Sequence, residues 1–463
     1  MTTNGERPLR VAVVGSGPSG FYAAEALFKD SSVKTEVDMF DRLPTPFGLV
    51  RGGVAPDHQK IKSVVKVYER TAADPRFRFY GNVKLGADLS LSDLKARYDA
   101  VILAVGAESD RHMGIPGEEL AGSHAATEFV GWYNSHPDHR DKPFDLSCEA
   151  VAVVGIGNVA VDVTRVLAED PEVLAKTDMA AYAVDALRKS QVKHVYMLGR
   201  RGPAQAAFSP AELEELGELH SADLVILPEE AALDPESQKD YDAGDQALKK
   251  NVDELRAFAG RGAGAKPRKV HLRLCVSPVE VIGEGGKVTA VRLEKNVLVR
   301  QPDGSIKPKG TGKFETIPVG MILRSVGYFG VPLPGVPFDT KKGVIPNTAG
   351  RVLEAGAVLP GLYVVGWAKR GPSGLIGTNR ACSAETAAKV LEDFRGKTLA
   401  EAPERTQAAA EAFVRSKQKD VVTFADWKRL DAVELERGKA AGKIREKFSN
   451  VIDALAALKA VVV

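Results

Sequence analysis

The stretch Leu9-Arg10-Val11-Ala12-Val13-Val14-Gly15-Ser16-Gly17-Pro18-Ser19-Gly20 reads as a strand running into a glycine-rich turn and the start of a helix. Its first six residues are largely β-branched and scarcely alternate, the pattern of a strand covered on both faces of a sheet. A helix is expected over 19–29, with Phe21, Ala24, Leu27 and Phe28 at helical spacing, and a second strand over 36–40 that ends at Asp41. In that context Gly15-x-Gly17-x-x-Gly20 is the fingerprint of a dinucleotide-binding turn. Gly15 permits the tight turn, Gly17 lets a pyrophosphate approach the backbone, and Gly20 lets the helix pack on the strand. The helix start presents free N–H groups to the phosphates. An acid about 20 residues on, here Asp41, would accept hydrogen bonds from ribose hydroxyls. A purely structural turn is the alternative reading.

The same pattern recurs further along the chain. A strand over 151–154 enters Gly155-Ile156-Gly157-Asn158-Val159-Ala160, the G-x-G-x-x-A form, and a helix carrying Val161, Thr164, Val166 and Leu167 follows. The next strand, His194–Leu198, ends differently, in Gly199-Arg200-Arg201. A carboxylate there would repel a 2′-phosphate, whereas arginines bind it. If both engage, two charge-assisted hydrogen bonds favour NADPH over NADH by roughly 3–6 kcal/mol, on the order of 10²–10⁴ in affinity. A solvated surface arginine pair is the alternative. Two later apolar segments, 99–106 and 320–327, also match each other and both end in Val-Gly, so each nucleotide unit has a later strand of its own. The expected fold class is α/β, with two Rossmann-like dinucleotide-binding domains in a glutathione-reductase-like arrangement. The first nucleotide-binding domain is expected to be discontinuous, residues 1–109 and 330–463, with the second, residues 110–329, inserted in it.

Composition narrows the class. The chain has 463 residues, 44% of them hydrophobic and 27% charged, with a net charge of +2, which fits two or three globular domains and gives no nucleic-acid signal. Cys148, Cys275 and Cys382 are isolated, so no C-x-x-C dithiol, disulfide framework, zinc site or iron–sulfur motif is present, and no metal is expected. The polar start MTTNGERPLR is not a signal peptide and no apolar run is long enough to span a membrane, which makes a cytoplasmic protein the default. The Pro/Gly-rich loop over 44–58 is long enough to suggest function. Residues 228–269 read as a solvated helical excursion, and the tail from about residue 398 as helical.

These motifs together resemble adrenodoxin-reductase-type ferredoxin–NADP reductases, most closely the actinobacterial members. The resemblance rests on Gly15–Gly20, Leu43-Pro-Thr-Pro-Phe-Gly-Leu-Val-Arg51, Gly53-Val-Ala-Pro-Asp-His58, Ala104-Val-Gly-Ala107, Gly155–Ala160, Gly199-Arg-Arg-Gly-Pro203 and Gly366-Trp-Ala-Lys-Arg-Gly-Pro-Ser-Gly374 with Ile376-Gly-Thr-Asn379. It implies FAD contacts at Ser19, Asp41, Leu49, Val83, Trp367, Gly374, Leu375 and Ile376. It implies NADP contacts at Arg111, Asn158, Val159, Arg200, Arg201, Glu212 and Gly374. His58 and Glu215 match a His–carboxylate pair beside the nicotinamide, where His58 would tune hydride transfer modestly; a structural histidine is the alternative. Asp41 stands where the family often has Glu, and Phe47 where close relatives can carry Trp.

The expected function is NADPH:ferredoxin oxidoreduction, with cofactors FAD and NADP(H) and a small acidic iron–sulfur partner; Lys369 and Arg370 are candidate docking residues, with a solvated basic pair as the alternative. The protein is expected to be a monomer or weak dimer. Disulfide reductases lack support without a dithiol, and the small subunit of glutamate synthase without iron–sulfur cysteines. Other NADPH-dependent flavoproteins, a monooxygenase or diaphorase, stay open, as does a non-catalytic NADPH sensor.

Overall fold

The computed structural model describes residues 7–399 and 406–460. Residues 1–6, 400–405 and 461–463, part of the expected discontinuous domain, lie outside the described residues. Two sheets carry the molecule. The first has seven strands in the order Asn347–Thr348, Arg351–Glu354, Ala357–Val364, Ala100–Leu103, Leu9–Val14, Thr35–Phe40 and Phe77–Tyr80. The last five are mutually parallel, and the first two fold back antiparallel. The second sheet has six parallel strands, Ser123–Ala125, Met321–Arg324, Ala150–Val154, His194–Leu198, Arg268–Arg273 and Ala222–Ile226. Parallel sheets are covered on both faces, and every residue of Leu9–Val14 is buried.

The internal repeat is present in register. Val13 pairs with Ile102, and Val153 with Leu323, so each glycine turn sits between its first strand and its later strand. That neighbour explains the leading glycine of each turn. A Cβ on Gly15 (φ +107°) would stand 2.4 Å from the Ala104 carbonyl oxygen, and one on Gly155 (φ +140°) 2.3 Å from that of Ser325. Only glycine fits such a conformation and such a contact. The chain passes between the sheets twice, and the two passages, Ser109–Asp110 and Tyr328–Phe329, pair antiparallel.

Several segments differ from the sequence reading. The stretch 228–269 forms three helices, Pro228–Ala231, Pro235–Ala243 and Gln246–Ala259, and is not simply solvated. Val252, Leu255 and Phe258, at helical spacing, are buried, the last two in the second sheet's core, and the sparse apolar content hides that narrow stripe. The segment also ends in a sheet strand, Arg268–Arg273. A three-stranded antiparallel sheet, Val276–Glu284, Lys287–Arg300 and Ile306–Pro318, was not anticipated, because its outer face is charged and only one face is buried, through Val281, Val291 and Leu293. The loop over 44–58 contains a helical turn, Leu49–Gly52, and lies on the first glycine turn, with the Phe47 N–H donating to the Ser16 carbonyl at 3.0 Å. The described part of the tail is helical, and its Trp427 and Leu430 are buried in the first sheet's core.

Candidate functional site

Both glycine turns have the chemistry of a phosphate cradle. Nothing lies within 4 Å of where a Cβ on Gly157 would stand, and only the Gly48 Cα, at 4.0 Å, faces Gly17. These two positions are open to an approaching ligand, unlike Gly15 and Gly155. The helices Pro18–Lys29 and Asn158–Ala168 begin with no side-chain cap and no acid in the first turn. Some other helices, such as Pro210–Gly217, Gln246–Ala259 and Phe424–Ala440, are capped by a side chain, and others, such as Ala126–Tyr133 and Ala181–Arg188, are not. The starts at Pro18 and Asn158 differ from the latter in the open glycine directly before each. Uncapped N–H groups at a helix start, next to an open glycine, are suited to hold an anion.

Asp41 has a second task besides the expected ribose contact. Its carboxylate accepts from the Ser16 N–H at 3.0 Å, from the Ser16 hydroxyl, and from the Leu43 N–H at 2.9 Å. It therefore braces the glycine turn, and its remaining lone pairs are what a ribose could use. The backbone of Val83 lies alongside, its N–H donating to the Asp41 carbonyl. Leu49, partly exposed, begins the helical turn beside Gly17.

The second turn ends in the opposite charge. Neither the Arg200 nor the Arg201 guanidinium has an ion pair or hydrogen-bond partner among the described residues. Burial and the neighbouring Arg200 cation both hold the Arg201 pKa below its ordinary value. Two adjacent cations without a carboxylate suit a dianionic phosphate. Arg200 is exposed and Arg201 half-buried, so Arg201 is the less screened of the two cations. Asn158 sits in the first turn of its helix and accepts from the Ser209 N–H through Oδ1 at 3.1 Å, and Val159 is partly buried beside it.

Between the two units lies a charged cluster. His58 Nε2 is 2.8 Å from Glu215 Oε2 and 2.9 Å from Arg165 Nη2. The Arg165 guanidinium also holds Asp57 and Asp162 and lies 3.2 Å from Glu215. Sequence reasoning missed Arg165, Asp57 and Asp162; the Asp162-x-x-Arg165 spacing on one helix face was the available signal. Glu212 is buried nearby, with Oε2 lacking a partner. Burial and repulsion from Asp162 push its pKa up to about 7. Burial also raises Asp162. His58, Glu212 and Glu215 offer ligand atoms within 4.8 Å of one another, but the Arg165 guanidinium stands on His58 and Glu215, so a cation there would meet another cation.

The remaining residues lie where the first sheet's last parallel strand ends. Gly366 (φ +70°) abuts Ser19, with its would-be Cβ 2.6 Å from Ser19 Oγ. Trp367 follows, donating to the Ser373 carbonyl at 3.2 Å and packing on Tyr328 with ring centroids 4.9 Å apart. Gly374 and Leu375 are exposed and Ile376 half-buried, ahead of the uncapped, acid-free start of the helix Thr378–Arg395. Arg111 is exposed at the paired passages, its guanidinium 5.1 Å from the Phe329 ring centre. Lys369 and Arg370 do not form a free basic pair. Lys369 Nζ bonds Glu385 at 2.5 Å with its side chain 9% exposed, and Arg370 bonds Asn379 and the Ser373 carbonyl. Both brace the segment before the helix, which corrects their assignment as docking residues.

Comparison with known proteins agrees with this geometry. Residues 9–196 match the family model described as pyridine nucleotide-disulphide oxidoreductase. The chain is 44% identical to the NADPH-ferredoxin reductase FprA of Mycobacterium tuberculosis, over 97% of this chain and 99% of the relative. It is 41% identical to the human mitochondrial NADPH:adrenodoxin oxidoreductase, over 96% of this chain and 90% of that one. The solved structure of Mycobacterium tuberculosis FprA in complex with NADPH superposes with a TM-score of 0.92 at 43% identity, covering 98% of this chain and all of the other. The chain belongs to the adrenodoxin-reductase-type family of ferredoxin–NADP reductases.

Proposed function

We propose that this protein is an NADPH:ferredoxin oxidoreductase. The observation that carries the reading is the pair of unlike strand ends after two like glycine turns: a carboxylate, Asp41, after the first, and two arginines, Arg200 and Arg201, without a partner among the described residues, after the second. When bound, FAD supplies an acceptor for hydride from NADPH and a donor of single electrons to a ferredoxin. We take residues 1–109 with 330–463 as the FAD unit and 110–329 as the NADP unit; the sheets' composition and the paired passages at 109–110 and 328–329 support that division.

The chain's own residues act by binding and orientation. Gly17 and the helix start behind it receive one pyrophosphate, and Gly157 with its helix start receives the other. Ser19, Leu49, Val83, Trp367 and Gly374-Leu375-Ile376 line the flavin. Arg111, Asn158, Val159, Arg200 and Arg201 hold the second nucleotide. Glu212, with a carboxyl that keeps its proton up to about pH 7, can donate to a carboxamide oxygen. His58 faces both the Glu215 carboxylate and the Arg165 guanidinium through one nitrogen, and from that place it tunes the hydride transfer modestly. The partner is a small acidic iron–sulfur protein, and the protein acts as a monomer or weak dimer. Three unpaired cysteines fit a reducing compartment such as the cytoplasm.

An anaerobic titration of the yellow protein tests the reading. NADPH should bleach the flavin at much lower concentration than NADH, and an added ferredoxin should restore the oxidised spectrum in one-electron steps. Binding of NADPH without bleaching would overturn it. Replacing Arg200 and Arg201 together by Ala should raise the KM for NADPH by on the order of 10²-fold and that for NADH little.

A further inference from the structure

The loop that carries Arg200 and Arg201 is pinned by three successive carbonyls. Gly199 accepts from the Val276 N–H at 3.0 Å, and Arg201 from the Cys275 N–H at 3.1 Å. The one between them, Arg200, accepts from a side chain, Asn296 Nδ2, at 2.9 Å. The same amide nitrogen donates to Ser277 Oγ at 2.8 Å, so both of its hydrogens are used. A backbone carbonyl can only accept, which fixes the amide's orientation. Asn296 also supports the loop through its backbone: its N–H donates to the Cys275 carbonyl at 2.7 Å, holding Cys275 in its left-handed conformation (φ +55°).

Asn296 lies in the central strand of the three-stranded sheet, directly after a bulge, where the pairing register with the next strand shifts between Glu294 and Asn296. A bulge re-aims a side chain, and this one turns Asn296 to the arginine loop. Among the described residues the Arg200 and Arg201 guanidiniums have no carboxylate to fix them, so the backbone beneath them limits where they point.

We propose that Asn296 is a positioning residue for nucleotide choice: it holds the Arg200–Arg201 backbone so that both guanidiniums converge on a 2′-phosphate. This rests on the assignment of the arginine pair to that phosphate. Asn296 touches no nucleotide in this scheme, and its contribution is confined to ligands that carry the phosphate.

The experiment measures Kd for NADP+ and NAD+ on the holoenzyme by calorimetry, in Asn296→Leu, which keeps the volume and loses both donors, and in Asn296→Ala. Flavin absorbance and Tm report folding of each variant. Both variants should raise the Kd for NADP+ roughly 3–10-fold, as expected for one or two lost hydrogen bonds. The Kd for NAD+ should stay within about twofold, the scatter expected of a change away from that ligand. The KM for NADPH should rise with kcat held. An equal loss for both nucleotides, or an unchanged NADP+ Kd in either folded variant, overturns the proposal. The Arg200→Ala, Arg201→Ala double variant runs alongside. If it too leaves the NADP+/NAD+ ratio unchanged, the phosphate assignment itself has failed; if it collapses the ratio while Asn296→Leu does not, only the positioning role has.

Discussion

Glu212 shows how a single side chain's surroundings change what the cleft can bind. Four carboxylates, on Asp57, Asp162, Glu212 and Glu215, share the neighbourhood of one guanidinium, Arg165, and of His58. That excess of acid over base, on top of burial, keeps Glu212 protonated up to about pH 7. Below that pH it is a neutral donor, and above it an anion. The oxidised nicotinamide ring is cationic and the reduced ring is neutral, so ionisation favours NADP+ over NADPH. The ratio of NADP+ to NADPH affinity should therefore rise as pH passes from 6 to 8, by roughly 3–10-fold for one charge a few ångströms from the ring at a partly solvated site. Glu212→Gln should flatten the rise. Equal slopes in both proteins, measured by titration at several pH values, would remove Glu212 from the nicotinamide end.

The two strand–turn–helix elements use their glycines in two different ways, and variants can separate them. Gly155 is held by the fold: its positive φ and the Ser325 carbonyl leave no room for a side chain. Gly155→Ala should cost at least about 2 kcal/mol of stability in urea, from backbone strain and the clash together. Gly157 is extended, with open space beside it. Gly157→Ala should leave stability within about 0.5 kcal/mol, as exposed changes usually do. It should weaken NADPH binding by about tenfold or more, the effect of pushing the pyrophosphate off its N–H donors. A Gly157→Ala protein that binds NADPH normally would place the pyrophosphate elsewhere. Both roles follow from the G-x-G pattern, yet which neighbour presses on Gly155 is visible only once Met321–Arg324 lies beside Ala150–Val154.

Across the whole molecule, the two units are fastened by a buried charge cluster. Asp178, in the second unit, accepts from Lys62 Nζ at 2.7 Å and lies 3.2 Å from Lys447 Nζ in the C-terminal tail. All three side chains are nearly buried, and Arg51 of the 44–58 loop pairs with buried Glu434 close by. Below about pH 7, Asp178→Asn removes the carboxylate that two buried ammoniums share and should destabilise the protein by about 3–5 kcal/mol in urea unfolding. Burial lowers the pKa of Lys447 from 10.5 to about 7. Between those values the unfolded chain holds a proton that the folded one lacks, so this group makes stability rise with pH from about 7 to 10.5. Lys447→Met should show a shallower rise than the parent over that window. An identical pH profile would mean that Lys447 stays charged in the fold.

The fold class and both nucleotide turns were legible because each is a local object. Strand, glycines, helix and the following charge lie within a few dozen residues, where periodicity and turn chemistry act directly. The choice of Asp41 against Arg200 and Arg201 belongs to that local grammar as well. The resemblance added the His58–Glu215 pair, whose members lie 157 positions apart. Nothing local could show the Arg165 hub between them, the Lys62–Asp178–Lys447 fastening, the internal use of Lys369 and Arg370, or the hold of Asn296 on Arg200 from 96 positions away. Those depend on which strands become neighbours and on which charges lose their water. Local chemistry is enough to mark two glycine turns followed by opposite charges; what braces them is settled by the folded chain, because bracing is a matter of contact and desolvation between distant residues.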